Sequence, residues 1–452
     1  MLQELLQPEI EELIKEKKWE YLKEILTLWN EVETANLITT LKSEDKYKVF
    51  IILPKDYYTK VFTELIHKDQ QIIIKNMPNF LIKDLLENID PDDRTSFLSS
   101  LTKETSEEII KLLKTEDREI ASWLLSYPEY SIGRLMTTKY ISILPHWNIK
   151  QAFEYVRNNI DDAETYTTLY VVDNKRTLMG SISIRKLFFT EQDELISNII
   201  DTSPYISAND NQENAIEIIK KYNIHSLAVV DNKHSLIGIV TVDDILDIAE
   251  EEYTEDFHKM AGITSTEDDF DDNLKATPIF SIYKKRIMWL LSLVFINIFS
   301  GGIIGIFQNT LQEHIILVSF LPLLIGSGGN AGSQTATLII RSLAVGDIYV
   351  RDWFFMTKKE ILVSSILGIS MAISAYILGI IRSSSEIAFI VAISMFSIVF
   401  IGSLTGTILP FILTKFKLDP AISGAPVLTS ICDIIGTAIY CAIATTIFIL
   451  IN

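Results

Sequence analysis

Leu321-Pro-Leu-Leu-Ile-Gly326-Ser-Gly-Gly-Asn330-Ala-Gly-Ser-Gln334 lies inside an uncharged run from residue 315 to residue 340, and that run decides the fold. A helix needs about 20 apolar residues to cross the hydrocarbon core of a bilayer. Four further runs qualify, at 287–312, 361–381, 387–414 and 421–451, the last once Asp433 is excused. Five in succession are too long and too many for buried helices of a soluble domain. Pro322 and the glycines predict a helix loosened enough to free backbone carbonyls, which is tolerated at membrane depth only where protein or water covers them. Close packing through small residues accounts for Gly332 and Ala336. It does not account for Gly328, Gly329 and Asn330 with Gln334 nearby, so the stretch is expected to line a pore.

Asp433 stands roughly a dozen residues into the fifth run, in Cys432-Asp433-Ile-Ile-Gly436. An unpaired carboxylate near mid-membrane costs on the order of several kcal/mol and is functional by default. The other runs hold no Lys or Arg to pair with it, which leaves protonation or a cation in a wet pathway. In a symmetric dimer with a pore on its axis, two copies would face one divalent ion. Mg²⁺ gives up its water reluctantly and is usually held through one or two carboxylates plus waters. No His or Cys cluster accompanies Asp433, so softer ions fit poorly, while Mn²⁺ and Co²⁺ stay open. Cys432 and Cys441, nine apart on one helix, cannot reach each other to form a disulfide.

Basic residues orient the spans. Lys284, Lys285 and Arg286 precede the first; Arg341, Arg351, Lys358 and Lys359 join the second to the third; Lys415 and Lys417 join the fourth to the fifth. The opposite loops carry only Arg382. By the positive-inside rule the N-terminal part is cytoplasmic and the C-terminus extracytoplasmic, in the cell membrane. The first ten residues, acidic and amphipathic, lack the basic and apolar regions of a signal peptide, which agrees.

Residues 281–452 hold ten Lys/Arg against seven Asp/Glu, so the formal net charge of −19 places −22 on residues 1–280. That balance argues against nucleic acid as a partner and for bound cations. Residues 1–130 read as helices only, with apolar residues three and four apart over 57–67, 79–88 and 106–113. Asp90-Pro-Asp-Asp93 marks a helix start, and the pattern suggests a stacked superhelix. An internal repeat follows: Thr168-Leu-Tyr-Val-Val-Asp-Asn-Lys-Arg-Thr-Leu-Met-Gly180 recurs 58 residues later as Ser226-Leu-Ala-Val-Val-Asp-Asn-Lys-His-Ser-Leu-Ile-Gly238. Each copy reads as strand, Asp-Asn turn, strand and helix.

Thirteen of the thirty residues from 243 to 272 are acidic, including Asp243, Asp244, Asp247, Glu250, Glu251, Glu252, Glu255, Asp256, Glu267, Asp268, Asp269, Asp271 and Asp272, with Lys259 the only Lys or Arg. Like charges at helical spacing oppose a helix. Ile245, Leu246, Ile248, Ala249, Tyr253, Phe257 and Met260 nevertheless keep an apolar helical face. Divalent cations bound by the carboxylates would remove the repulsion.

The repeat resembles a tandem pair of CBS domains over residues 135–249. That family can hold a nucleotide ribose with Gly-x-x-Thr-x-x-Asp, matched in the second copy by Gly238, Thr241 and Asp244; the first has Gly180, Ser183 and Lys186 and lacks the carboxylate. ATP is therefore a candidate ligand through Thr241 and Asp244. The whole chain resembles the MgtE family of bacterial magnesium channels through Gly133-Arg-Leu-Met-Thr137, Thr241-Val-Asp-Asp244, Glu252 with Thr254-Glu-Asp256, Gly326-Ser-Gly-Gly-Asn330, and Asp419-Pro-Ala421 with Asp433.

The resemblance implies a multidomain homodimer: a superhelical domain (1–130), an α/β CBS pair (131–246), an acidic plug helix and linker (247–280) and an all-α pore domain of five transmembrane helices (281–452). It implies Asp433 as the pore Mg²⁺ ligand, with Gly326, Gly329 and Thr429 around the hydrated ion and Asp419 near the cytoplasmic mouth. It implies cytosolic Mg²⁺ sensing at Asp93, Gly133, Glu213, Asp244, Asp247, Glu252, Glu255 and Asp256, with bound ions holding the plug closed. Asn223 stands where a CBS Asp ligand often occurs, and Ala425 where Asn can occur in the pore. The alternative is a CBS-regulated membrane sensor, or an exchanger for another divalent cation such as Co²⁺ or Mn²⁺. An enzyme is disfavoured, since the chain has no Gly-x-x-x-x-Gly-Lys phosphate loop.

Overall fold

The computed structural model describes residues 2–160, 163–264 and 277–451. It forms two compact units, Met1–Glu250 and Glu251–Asn452. Of the acidic run, Glu267, Asp268, Asp269, Asp271 and Asp272 lie outside the described residues.

The first unit begins with short helices: α1 Leu2–Lys15, α2 Trp19–Leu26, α3 Glu31–Thr40, α4 Ser43–Ile51 and α5 Lys55–Thr63. There follow α6 His67–Lys75, α7 Asn79–Asn88, α8 Pro91–Ser99, α9 Lys103–Ile110 and α10 Thr115–Leu124. Their ends are set locally. Asn30 Oδ1 accepts from the Val32 amide at 2.8 Å to cap α3, and Pro91 opens α8, where its missing N–H costs nothing. Each helix buries one face in a continuous core, in which Phe62 meets Phe50 and Phe97 edge-on.

The repeat folds as two three-stranded sheets. In the first, β1 Ser142–Ile143 runs parallel to β2 Thr168–Val172, which pairs antiparallel with β3 Leu178–Ser183. The second repeats this with β4 Tyr205–Ser207, β5 Ser226–Val230 and β6 Leu236–Thr241. Helices α11 Ile132–Leu135, α12 Ile149–Asn159, α13 Ile184–Phe189 and α14 Glu213–Tyr222 accompany them, and α15 Val242–Met260 follows β6. The turns are longer than the expected Asp-Asn pair. Asp173 Oδ1 accepts from the Lys175 and Thr177 amides, and Asp231 Oδ1 from those of Lys233 and Ser235, all at 2.8 Å. These bonds stabilise an open loop with Arg176 and His234 left-handed. The two loops pair, since the Leu178 amide donates to His234 O and the Leu236 amide to Arg176 O.

The second unit contains the end of α15, then α16 Ile279–Ile306, α17 Gln308–Glu313 and α18 Leu321–Ala344, followed by α19 Trp353–Arg382, α20 Ser385–Lys415 and α21 Ala425–Ile451. Among the described residues, five helical segments are long and apolar enough to cross a membrane: Ile279–Ile306, Ile315–Ala344, Val350–Arg382, Ser385–Lys415 and Ala425–Leu450. Helix α20 is central, packed by α18, α19 and α21; α16 lies mainly against α21 and buries no residue.

Three expectations need correction. Helix α18 is unbroken through its glycines, because Pro322 sits in the first turn, where no amide donor is required. Gly328 and Gly332 are packing residues: a Cβ on the facing Gly402 would lie 2.6 Å from Gly328 O, and one on Gly406 would lie 2.2 Å from Gly332 O. This glycine-on-glycine crossing explains Gly328 without a pore. Finally, α19 starts at Trp353 and carries Glu360 inside the helix, so Asp433 is not the only acid on a spanning segment.

Candidate cation sites

The first site belongs to the Met1–Glu250 unit. The first turn of α8 presents Asp92 and Asp93, the loop before β2 presents Glu164, and the start of α15 presents Asp243, Asp244 and Asp247. Burial, followed by the charges of Asp244 and Asp90, pushes the Asp93 carboxyl up to about 7. Burial and then the charges of Asp90, Asp244 and Asp93 raise Glu164 to about 7. Asp244 rises to about 6, mainly through burial, although the Thr241 hydroxyl donates to its Oδ2 at 2.6 Å. Asp92 is raised well above the carboxylate range, first by burial and then by Asp244, and its buried Oδ1 has no partner among the described residues. Burial also raises Asp247, and Asp247 in turn contributes to raising Glu64.

Asp90 pairs with Lys139, but among the described residues no ion pair reaches Asp92, Asp93, Glu164, Asp244 or Asp247, and uncompensated buried carboxyls are the electrostatic signature of an ion site. Among the described residues no three His, Cys, Asp or Glu side chains close around one point as a finished metal cage. Acids set apart in this way can engage a hydrated divalent cation only through its waters.

The fold thus brings Asp93 close to Asp244, and Asp247 follows Asp244 by one turn of α15. Asp92 and Glu164 join them without having been singled out; only the Asp90-Pro-Asp-Asp93 spelling hinted at the first. Gly133 has another evident reason: its amide donates to Ala208 O, and a Cβ there would strike the Tyr127 ring at 2.4 Å. Glu213 is exposed in the first turn of α14, where its amide donates to Asn211 Oδ1. Thr241 and Asp244, the ribose candidates, bond each other, and Asp244 belongs to the acidic cluster. A nucleotide polyphosphate brought here meets like charge, which a divalent cation offsets.

The second site belongs to the Glu251–Asn452 unit. Thr429 and Asp433, one turn apart on α21, share a face; Thr429 donates to Ala425 O and Pro426 O of its own helix. Gly329 lets α18 approach closely, since a Cβ would lie 3.0 Å from Thr429 Cγ2. Gly326 faces open space, with nothing within 4 Å of its Cβ position among the described residues. Gly326, Asn330 and Gln334 form an exposed polar stripe on α18. Asp433 is half-buried, and no hydrogen bond or ion pair reaches it among the described residues.

The end of α15 packs at the same end of this unit as Asp419. Lys259 Nζ lies 2.6 Å from Asp419 Oδ2 and also pairs with Glu255, one turn back on α15. Burial opposes the lysine's charge, but Asp419 and Glu255 outweigh it and raise the ammonium above its ordinary range. Asp419 Oδ1 accepts from the Ala421 amide at 2.8 Å. Its carboxylate, expected to meet the ion, is engaged by an ammonium here. Glu252 and Asp256 lie on the same helical segment, partly exposed.

The chain matches the MgtE intracellular N domain over residues 29–130, the CBS domain over 132–190 and 196–251, and MgtE, described as a divalent cation transporter, over 321–443. It is 30% identical to the magnesium transporter MgtE of Thermus thermophilus over 449 residues, 98% of each chain. It is 29% identical to the magnesium transporter MgtE of Bacillus subtilis, covering 96% of this chain and 95% of that one. Among solved structures, the cytosolic domain of the Mg²⁺ channel MgtE in complex with ATP matches at 29% identity with a TM-score of 0.51. It covers 54% of this chain and all of that one.

Proposed function

The chain belongs to the MgtE family of divalent cation transporters, and from that premise we propose that it is a Mg²⁺ channel for magnesium uptake, closed by cytosolic Mg²⁺. The observation that carries the reading is Asp433, unpaired among the described residues, one turn along α21 from Thr429, which packs on Gly329 of α18 beside the exposed Asn330. In a lipid-facing helix Gly326, Asn330, Gln334 and a free carboxylate are unfavourable. Placed at the two-fold axis of a homodimer they form a wet path with two carboxylates for one hydrated divalent ion.

The cytosolic acids are the regulatory half of the proposal. Asp92, Asp93, Glu164, Asp244 and Asp247 repel one another, and bound Mg²⁺ removes that repulsion and holds the closed arrangement. When cytosolic Mg²⁺ falls, the cluster loosens and the α15 end is free to leave Asp419. ATP, brought as its magnesium complex, would use Thr241 and Asp244. The distribution of basic residues supports a cytoplasmic N-terminal unit.

Purified full-length protein in liposomes tests the transport claim. Asp433→Ala is expected to abolish Mg²⁺ influx while the protein still inserts, and influx at the wild-type rate would remove Asp433 from the path. Comparing Mg²⁺ with Mn²⁺, Co²⁺ and Ca²⁺ gives the selectivity. For the regulatory claim, proteolysis around residues 250–275 should slow in millimolar Mg²⁺; equal cleavage with and without the ion would refute it.

A further inference from the structure

Glu360 is a second carboxyl on a membrane-spanning segment. It sits half-buried on α19, inside a segment that spans the membrane by length and composition. The buried Thr335 hydroxyl of α18 meets its Oε1 at 3.2 Å while also donating to Ala331 O. The Ser403 hydroxyl of α20 lies beside the same carboxyl. Ser403 is fully buried, and its Oγ makes no hydrogen bond among the described residues. No Lys, Arg or His pairs with Glu360 among the described residues.

A charged carboxylate with only hydroxyl neighbours is a costly arrangement in a membrane. The same atoms are satisfied if the group is neutral. One oxygen then accepts from Thr335, and the other carries a proton that it donates to the orphaned Ser403 oxygen. The location gives this strut leverage. Ser403 immediately follows Gly402, which packs on Gly328, and Thr335 lies six residues beyond Gly329 on α18. Little else joins α18 to α19 directly, because α20 separates them.

We propose that Glu360 is a positioning residue: it ties α18 to α19 across Ser403 of α20 as an uncharged hydrogen-bonding strut, and it does not ligate the transported ion. The strut fixes where the Gly326 and Gly329 backbone stands relative to Asp433. It rests on the transport reading above, and wild-type liposomes that pass no Mg²⁺ would defeat that reading first and separately.

The test is Mg²⁺ influx into liposomes holding full-length wild type, Glu360→Gln, Glu360→Ala and Thr335→Val, with the half-saturating Mg²⁺ concentration measured for each. Gln keeps an acceptor oxygen and a donor in the same shape as the neutral acid. Glu360→Gln is therefore expected to run near the wild-type rate. Glu360→Ala and Thr335→Val are expected to lose about tenfold in maximal influx, the rate equivalent of one buried hydrogen bond. Their half-saturating Mg²⁺ should be unchanged, because the Asp433 site is intact. A Glu360→Gln defect as deep as that of Glu360→Ala, with weakened Mg²⁺ saturation, would show a charge-bearing ligand and overturn the proposal. Full influx by Glu360→Ala would also overturn it. If Glu360→Ala does not fold, Thr335→Val decides, since it removes only the donor: lost influx supports the strut and wild-type influx refutes it.

Discussion

At Asn223 the backbone turns left-handed, φ 50° and ψ 51°, where α14 ends. Asn tolerates that conformation better than any other residue except Gly. Its presence in place of a carboxylate thus has a structural rationale as a helix cap. Asn223→Gly should leave stability almost unchanged, and Asn223→Val should cost about 1–2 kcal/mol, read from the thermal midpoint of the full-length protein. Two glycines separate packing from pore in the same way. Gly406→Ala drives a methyl against the Gly332 carbonyl and should destabilise by about 1–3 kcal/mol. Gly326→Ala meets nothing and should be at least as stable as wild type, given Ala's advantage within a helix. A fall in influx by Gly326→Ala without a fall in melting midpoint would locate Gly326 on the ion path.

Among the elements, α15 carries the most opposed demands. Its first turns hold carboxyls that repel, and its last turn holds Lys259, the only Lys or Arg in the acidic run, paired with Asp419. Met260 packs beside the buried cluster of Ala336, Ile340, Ala421, Leu428 and Cys432, and a Cβ on Gly424 would strike Met260 O at 2.2 Å. The end of α15 is therefore seated by packing as well as by charge. Lys259→Gln should keep the packing but free Asp419, so closure should need more Mg²⁺ than in wild type. Influx measured against internal Mg²⁺ checks this; an unshifted curve would mean that packing alone holds the end of α15.

At the scale of the molecule, the carboxyl cluster links stability to pH and to Mg²⁺. Asp93 and Glu164 stand near 7 and Asp244 near 6, all above their ordinary values because burial and mutual charge disfavour ionisation. The folded state therefore binds more protons than the unfolded state between about pH 4 and pH 7, and its stability falls as pH rises through that window. Without Mg²⁺, the melting midpoint of the full-length protein should drop between about pH 4 and pH 7. Added Mg²⁺ should raise the midpoint more at the higher pH, where protons no longer compete for the acids. Equal Mg²⁺ shifts at both values would argue against ion binding at this cluster.

Sequence alone determined the five spanning segments, the repeat and its strands, and the acidity of residues 1–280, because hydrocarbon thickness, strand period and charge are properties of short stretches. It also singled out Asp433, since a lone acid in an apolar run is visible without any neighbour. Tertiary structure decided which small residues pack and which stay open. Gly326, Gly328 and Gly329 read alike in one dimension, yet only the placement of α20 and α21 gives Gly328 its neighbour and leaves Gly326 bare. It likewise gathered Asp92 and Glu164, seventy-two positions apart, into one cluster, and gave Asp419 its lysine and Glu360 its hydroxyls. Each of these depends on distances across the fold, which charge and hydropathy along the chain do not encode.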